Sequence, residues 1–225
     1  MATPRTVRTQ TVSTPTVKDQ LASPPALWDP VVRLSHWGIA VSVLLNALVT
    51  EGGSLAHVLI GWMVMAMLLL RLVWGVLGPR EARFSAFPPN PVRAVAHLRG
   101  LFSGDKPRDY PSHNPAGALM VYMFWLALAA VVATGLVMTG GATPMQVAAD
   151  KAAVASGDWA ALVRDGDSDQ DSVMGDVAEE VHEVAANLLL ILAALHVAGV
   201  FVEGRLLRRN LLAPMLFGAK GDRRK

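Results

Sequence analysis

The chain contains no cysteine. That absence excludes disulfides, thiolate nucleophiles, iron–sulfur clusters, thiolate zinc sites and thioether-attached haem. Any metal must be held by His, Met or carboxylates. Charge is also scarce: 17% of the 225 residues are Asp, Glu, Lys or Arg, against about a quarter in soluble domains. There is no phosphate-binding glycine loop, nucleophile elbow or zinc motif, so nothing argues for a hydrolase. The basic tails are short and close to apolar segments, which does not suit nucleic acid. What fills the chain is apolar: 52% of residues are hydrophobic and the mean hydropathy is positive, too apolar for an ordinary soluble domain.

About 20 consecutive apolar residues can cross a bilayer as a helix. Four such runs occur, at residues 31–50, 55–77, 118–138 and 181–202. Lys and Arg mark the cytoplasmic ends of spans. Arg5, Arg8, Lys18 and Arg33 precede the first run or lie at its start, and none lies in "EGGS" after it. Six follow in the second connection (Arg80, Arg83, Arg93, Arg99, Lys106, Arg108), two in the third (Lys151, Arg164) and seven from Arg205 to Lys225. The fold class expected is an all-α membrane protein: a four transmembrane helix bundle with both termini cytoplasmic.

The expected organisation is a disordered cytoplasmic tail at 1–27, a four-helix domain at 28–209 and a basic cytoplasmic tail at 210–225. The first thirty residues do not read as a cleavable signal peptide. Gly78–Pro79 and "FPPNP" end the second helix. A short amphipathic stretch at 92–102 suits the membrane surface. Residues 139–178 form an acidic periplasmic loop, with Asp150, Asp158, Asp165, Asp167, Asp169, Asp171 and Asp176.

Histidines carry the chemistry. Burying an imidazole in hydrocarbon costs free energy unless something compensates. His182 and His196 are fourteen residues apart in one span. In a helix that is about 21 Å of rise and about 40° short of four turns, so both lie on nearly one face, one near each membrane surface. His36 begins the first span on the cytoplasmic side, and His57 begins the second on the periplasmic side. Two levels result: His57 with His182 outside, His36 with His196 inside. This is the arrangement needed to clamp two bis-histidine haems inside a bundle. The alternatives are structural interhelical hydrogen bonding, a proton relay or metal transport. The last two ordinarily recruit carboxylates, and no span has one in its middle.

Arg71 lies fourteen residues after His57, at the inner level on the same face. A haem propionate would suit its guanidinium; snorkelling to the interface is the alternative. Gly61, one turn after His57, would let a flat macrocycle approach, or serve helix packing. His113, in "SHNPAGAL" before the third span, could reach inner propionates or a quinone headgroup, or cap the helix. His97 reads as solvated or interfacial. Trp37, Trp62, Trp74 and Trp125 suit either interfacial anchoring or haem-side packing, and the ten Met residues read as packing filler.

"WDPVVRLSHWGIA" (28–40), "HVLIGWMVMAMLLLRLVWGVLGPREARFSAF" (57–87), "HNPAGALM" and "HEVAANLLLILAALHVAGV" together resemble the prokaryotic cytochrome b561 family. The resemblance covers about residues 28–209. It implies a multi-pass protein of the bacterial inner membrane with two non-covalent b-type haems, ligated at His36, His57, His182 and His196. It implies electron transfer between a quinone pool and a redox partner such as a periplasmic cytochrome c. It also leaves open a membrane anchor for a hydrogenase or dehydrogenase catalytic subunit, and a superoxide:quinone oxidoreductase. A non-haem transporter or assembly factor is the reading outside the family. The long acidic 139–178 loop departs from the family's compact members and puts their partners in doubt.

Overall fold

The computed structural model describes residues 29–103, 110, 113–158, 160, 169–207 and 211–217. The tail at 1–27 lies outside these residues, as does 218–225 of the basic tail. The described residues are helical, with no strand. In chain order they form α1 (Pro30–Leu48), α2 (Leu55–Leu77), two 3₁₀ turns (Arg80–Ala82 and Phe84–Ala86), α3 (Pro91–Phe102), α4 (Pro115–Met138), α5 (Pro144–Ser156), α6 (Asp169–Leu207) and α7 (Leu212–Phe217). α1, α2, α4 and the Val173–Leu206 stretch of α6 are long and apolar enough to cross a membrane.

Four helices start on one local device, a capping residue followed by proline. Asp29 Oδ1 accepts from the Val31 amide at 2.7 Å, and Asn114 Oδ1 from the Gly117 amide at 2.6 Å. Asn90 and Thr143 do the same for α3 and α5, the latter in a full capping box with Gln146. Proline's fixed φ suits the first helical position, and each cap is worth about 1 kcal/mol. This moves the start of α4 from the expected residue 118 to Pro115, because the cap lies outside the apolar run.

The larger difference is at residues 139–178. They are not a plain loop: α5 occupies Pro144–Ser156, and α6 begins at Asp169 rather than near 181. The first turns of α6 are polar rather than apolar, so a hydropathy window cannot see them.

α1 packs chiefly on α2, and α4 on α6. α4 also meets α3 and, less extensively, α2, while α5 rests on α2. α6 makes few close backbone approaches to α1 or α2. The buried centre is Val64, Leu68, Ala127, Leu128, Leu189 and Leu192, contributed by α2, α4 and α6. The near end of the bundle holds the start of α1 and the end of α6. There Arg33 donates to the Met215 and Leu216 carbonyls (3.2 and 2.6 Å) and Trp37 Nε1 to the Met215 carbonyl (3.2 Å), which ties α7 to α1. Asn114 Nδ2 donates to Glu203 Oε2 at 2.6 Å, tying α4 to α6. At the far end Trp62 Nε1 donates to the Ala142 carbonyl at 3.2 Å, and Gly53 turns the chain between α1 and α2 at φ 68°, a conformation that favours glycine. α3 buries Ala94 and leaves Val92, Val95 and Leu98 facing outward beside Arg93 and Arg99.

Candidate functional site

The site follows from a seven-residue register. Seven residues fall about 20° short of two helical turns, so positions seven apart share a face about 10 Å apart in height. On α2 that face reads His57, Val64, Arg71. On α6 it reads His182, Leu189, His196. On α1 it reads His36 then Val43, with Thr50 just past the helix end, and on α4 Thr134, Ala127, Met120, with His113 just before its cap. Polar groups thus stand at two levels, with the apolar centre of the bundle between them.

The far level joins His57 and His182, whose ring centroids are 6.2 Å apart at an interplanar angle of 53°. The near level joins His36 and His196, at 6.1 Å and 61°. All four rings are half-buried. α6 therefore supplies one ring to each level, α1 and α2 supply one each, and α4 supplies none.

These separations carry chemical information. A metal–imidazole bond of about 2 Å on each side, and about 1.1 Å from each nitrogen to its ring centre, put two trans imidazoles about 6.2 Å apart. Both pairs meet that distance. Among the described residues no group of three or more His, Asp or Glu is placed to hold a metal ion. A bare transition metal would want three or more protein ligands. Two opposed imidazoles alone fit a metal whose other positions are filled by a planar macrocycle, and so the side chains present fit a bis-histidine haem. A Cβ at Gly61 would meet nothing within 4 Å. The helix-packing alternative therefore has no neighbour to act on, and the space beside His57 is open to a flat group.

The near level has a charged wall. Arg71 is 5% exposed, so it does not snorkel to the interface. Its Nη1 donates to the Ala82 carbonyl at 3.2 Å, and its guanidinium lies 5.7 Å from the Trp125 ring centroid and 6.0 Å from that of Phe84. The 3₁₀ turns after α2 make this possible by folding back over the helix: Phe84 sits on Gly75, where a Cβ would overlap its ring. Tyr122 donates to the Phe84 carbonyl at 3.3 Å.

His113 stacks on the buried Phe87 ring at 4.6 Å. Burial pushes its imidazole down to about 4, with the Arg71 cation, His196 and His36 adding in that order. It is a neutral group close to the near level. It does not cap α4, since Asn114 does that. His97 is not solvated either: its Nε2 is shielded and its ring packs edge-on against Tyr110 at 5.6 Å. The tryptophans divide by partner. Trp37 and Trp62 bond to backbone carbonyls at the two ends, while the Trp74 and Trp125 indole nitrogens are buried with no hydrogen-bond partner among the described residues.

Sequence reasoning missed two residues. Thr50 Oγ1 is 3.3 Å from His57 Nδ1, and Thr134 Oγ1 is 3.0 Å from His182 Nδ1. In sequence they stand only seven residues from Val43 and Ala127, a register that does not distinguish them from any other threonine in these segments.

The family model described as prokaryotic cytochrome b561 matches residues 27–218. No curated protein and no solved structure matches the chain. The family match covers all four spans and both histidine levels. The chain therefore belongs to the prokaryotic cytochrome b561 family of membrane proteins, which implies electron transfer on b-type haem.

Proposed function

We infer that this protein is a dihaem electron carrier of the bacterial inner membrane, with one b-type haem held by His36 and His196 and the other by His57 and His182. The observation that carries this reading is the pair of ring separations, 6.1 and 6.2 Å, at two levels of one bundle. A haem held by the two histidines of each level would supply one-electron transfer rather than oxygen or substrate chemistry.

The chain's own residues set the conditions. α6 fixes the height between levels through the fourteen residues from His182 to His196, about 21 Å. Val64, Leu68, Ala127, Leu128, Leu189 and Leu192 keep the space between levels dry and apolar. Arg71 offers a buried guanidinium to a propionate at the near level. His113, neutral and adjacent, can take a hydrogen bond from a propionic acid or a quinone headgroup there.

The near end is cytoplasmic in this reading and the far end periplasmic, because Lys and Arg concentrate in the segments that meet the near end. The electron partners are a quinone and a redox protein. The exposed acidic groups around α5 and the start of α6, Asp158, Asp176, Glu179 and Glu180, favour a cationic far-side partner such as a basic cytochrome c.

The test is a reduced-minus-oxidised spectrum with a pyridine haemochrome assay on detergent-purified protein, wild type and His196→Ala. About two b haems per chain, falling to about one low-spin haem in the variant, is the expected result. Folded wild type without haem would sink the reading.

A further inference from the structure

The two histidine pairs differ in what holds their rings. At the far level each Nδ1 meets a threonine hydroxyl, Thr50 Oγ1 for His57 and Thr134 Oγ1 for His182. A hydroxyl has one hydrogen, and here the preceding turn of helix takes it. Thr134 donates to the Ala130 carbonyl at 2.7 Å. Thr50 donates to Asn46, whose carbonyl and Oδ1 lie at 3.2 and 3.1 Å. Asn46 is itself oriented, since its Nδ2 donates to the His57 carbonyl at 3.1 Å. Each threonine oxygen therefore faces its imidazole with a lone pair, and the ring must bring the hydrogen. Nδ1–H donates, and the lone pair left to the ring lies on Nε2, the nitrogen a metal would take.

The near level has no such support. Among the described residues neither the His36 nor the His196 ring has a hydrogen-bond partner. Their neighbours are aromatic: Trp37 at 5.4 Å from His36, Phe124 at 5.9 Å from His196.

We propose that Thr50 and Thr134 are positioning residues that make the far histidine pair the more electron-donating one, so that a haem held there has the lower reduction potential of the two. This rests on the dihaem reading above. An imidazole whose N–H is drawn toward oxygen is a more basic ligand, and a more basic ligand stabilises ferric over ferrous iron. The near level is biased the opposite way by the buried Arg71 cation, which favours the less positive, reduced iron. An electron shared between the two sites then resides mostly at the near level.

The experiment is a redox-monitored optical titration, with EPR of the ferric state, on the full chain in detergent. His196→Ala assigns the far haem as the component that survives. The expected result is that the survivor is the lower-potential component. Thr134→Val keeps the shape and removes the hydroxyl. It should raise that component by about tenfold in its reduction equilibrium, 59 mV for a one-electron couple, and shift the far haem's EPR signal. Thr134→Ser should restore both, and the near haem should not move. Thr50→Val, on a different segment, should give the same upward shift and stands in if Thr134→Val does not accumulate. A far haem of higher potential than the near one, or one unmoved by both valine variants, overturns the proposal and leaves the dihaem reading intact. Protein without haem overturns both.

Discussion

Arg71 offers a test in which the sign of the effect decides the matter. Its guanidinium has five N–H donors, yet one hydrogen bond, to the Ala82 carbonyl, is all it makes among the described residues. It forms no ion pair among the described residues, Asp29 acting on it only through the longer-range field, and it is 5% exposed. A buried cation so poorly matched is a net liability, so replacing it with an apolar side chain of similar length should stabilise the fold. The sign reverses if an anion completes the site. Removing one partner of a buried ion pair strands the other and costs about 3–5 kcal/mol. Against a haem propionate, that is a loss of about two to three and a half decades in haem affinity at the near level. The assay is haem transfer from purified Arg71→Met protein to an excess of haem-accepting apoprotein, followed in the Soret band. Near haem should leave rapidly and far haem slowly. Arg71→Lys, which keeps the charge and loses the planar fork, should fall between. Unchanged haem retention with a raised thermal midpoint would refute the anion assignment and leave Arg71 as a partner of Phe84 and Trp125 alone.

Three other expectations follow from the geometry. Arg33→Ala removes two hydrogen bonds from a charged donor to the end of α7, each worth about 1.5–3 kcal/mol; hydrogen exchange at residues 212–217 should accelerate at least tenfold while α2 is unaffected, and an unchanged rate would show that α7 is held otherwise. Gly75→Val drives atoms into the Phe84 ring; overpacking of this kind costs about 1–3 kcal/mol, and Trp125 fluorescence should report the displaced turn, so a wild-type spectrum and midpoint would contradict the packing described. Changing Asp158, Asp176, Glu179 and Glu180 to their amides should slow electron exchange with a basic cytochrome c several-fold at low salt and erase its ionic-strength dependence; rates that ignore the substitutions would exclude docking at this end.

The spans were legible because a run of about 20 apolar residues has few other uses. Their ends were less so, for different reasons at each end. α4 starts three residues early because Asn114 and Pro115 set a cap that hydropathy does not register. α6 starts twelve residues early because Asp169 to Glu180 is helical without being apolar. The histidine levels were legible because a buried imidazole is expensive and therefore rare, so pairing by depth stands out. Thr50 and Thr134 were not legible by that logic. A threonine in or just after an apolar helix satisfies itself by bonding back to a carbonyl one turn earlier, as both do here. Its presence signals nothing until the coordinates show what lies against the oxygen's other lone pair. His113 was visible as a residue near the near level, but its exclusion from the capping role depended on which neighbour reached the Gly117 amide.

The division of labour among the helices explains why one of them carries no paired histidine. α6 holds a ring at each level, so the height between levels is a property of one rigid helix. α1 and α2 each contribute one opposing ring, at opposite ends, and are packed on each other. If α6 were braced by α1 or α2, their backbones would close on the space between the paired rings. The bracing comes instead from α4, the helix without a paired histidine, which packs along α6 and reaches His182 through Thr134 and Glu203 through Asn114. The histidine face of α6 is thereby left free to look across at α1 and α2 from a distance that the two ring pairs define. On this argument the α4–α6 contact is the element to disturb for changing both levels at once, whereas α1 and α2 can each be altered to affect one.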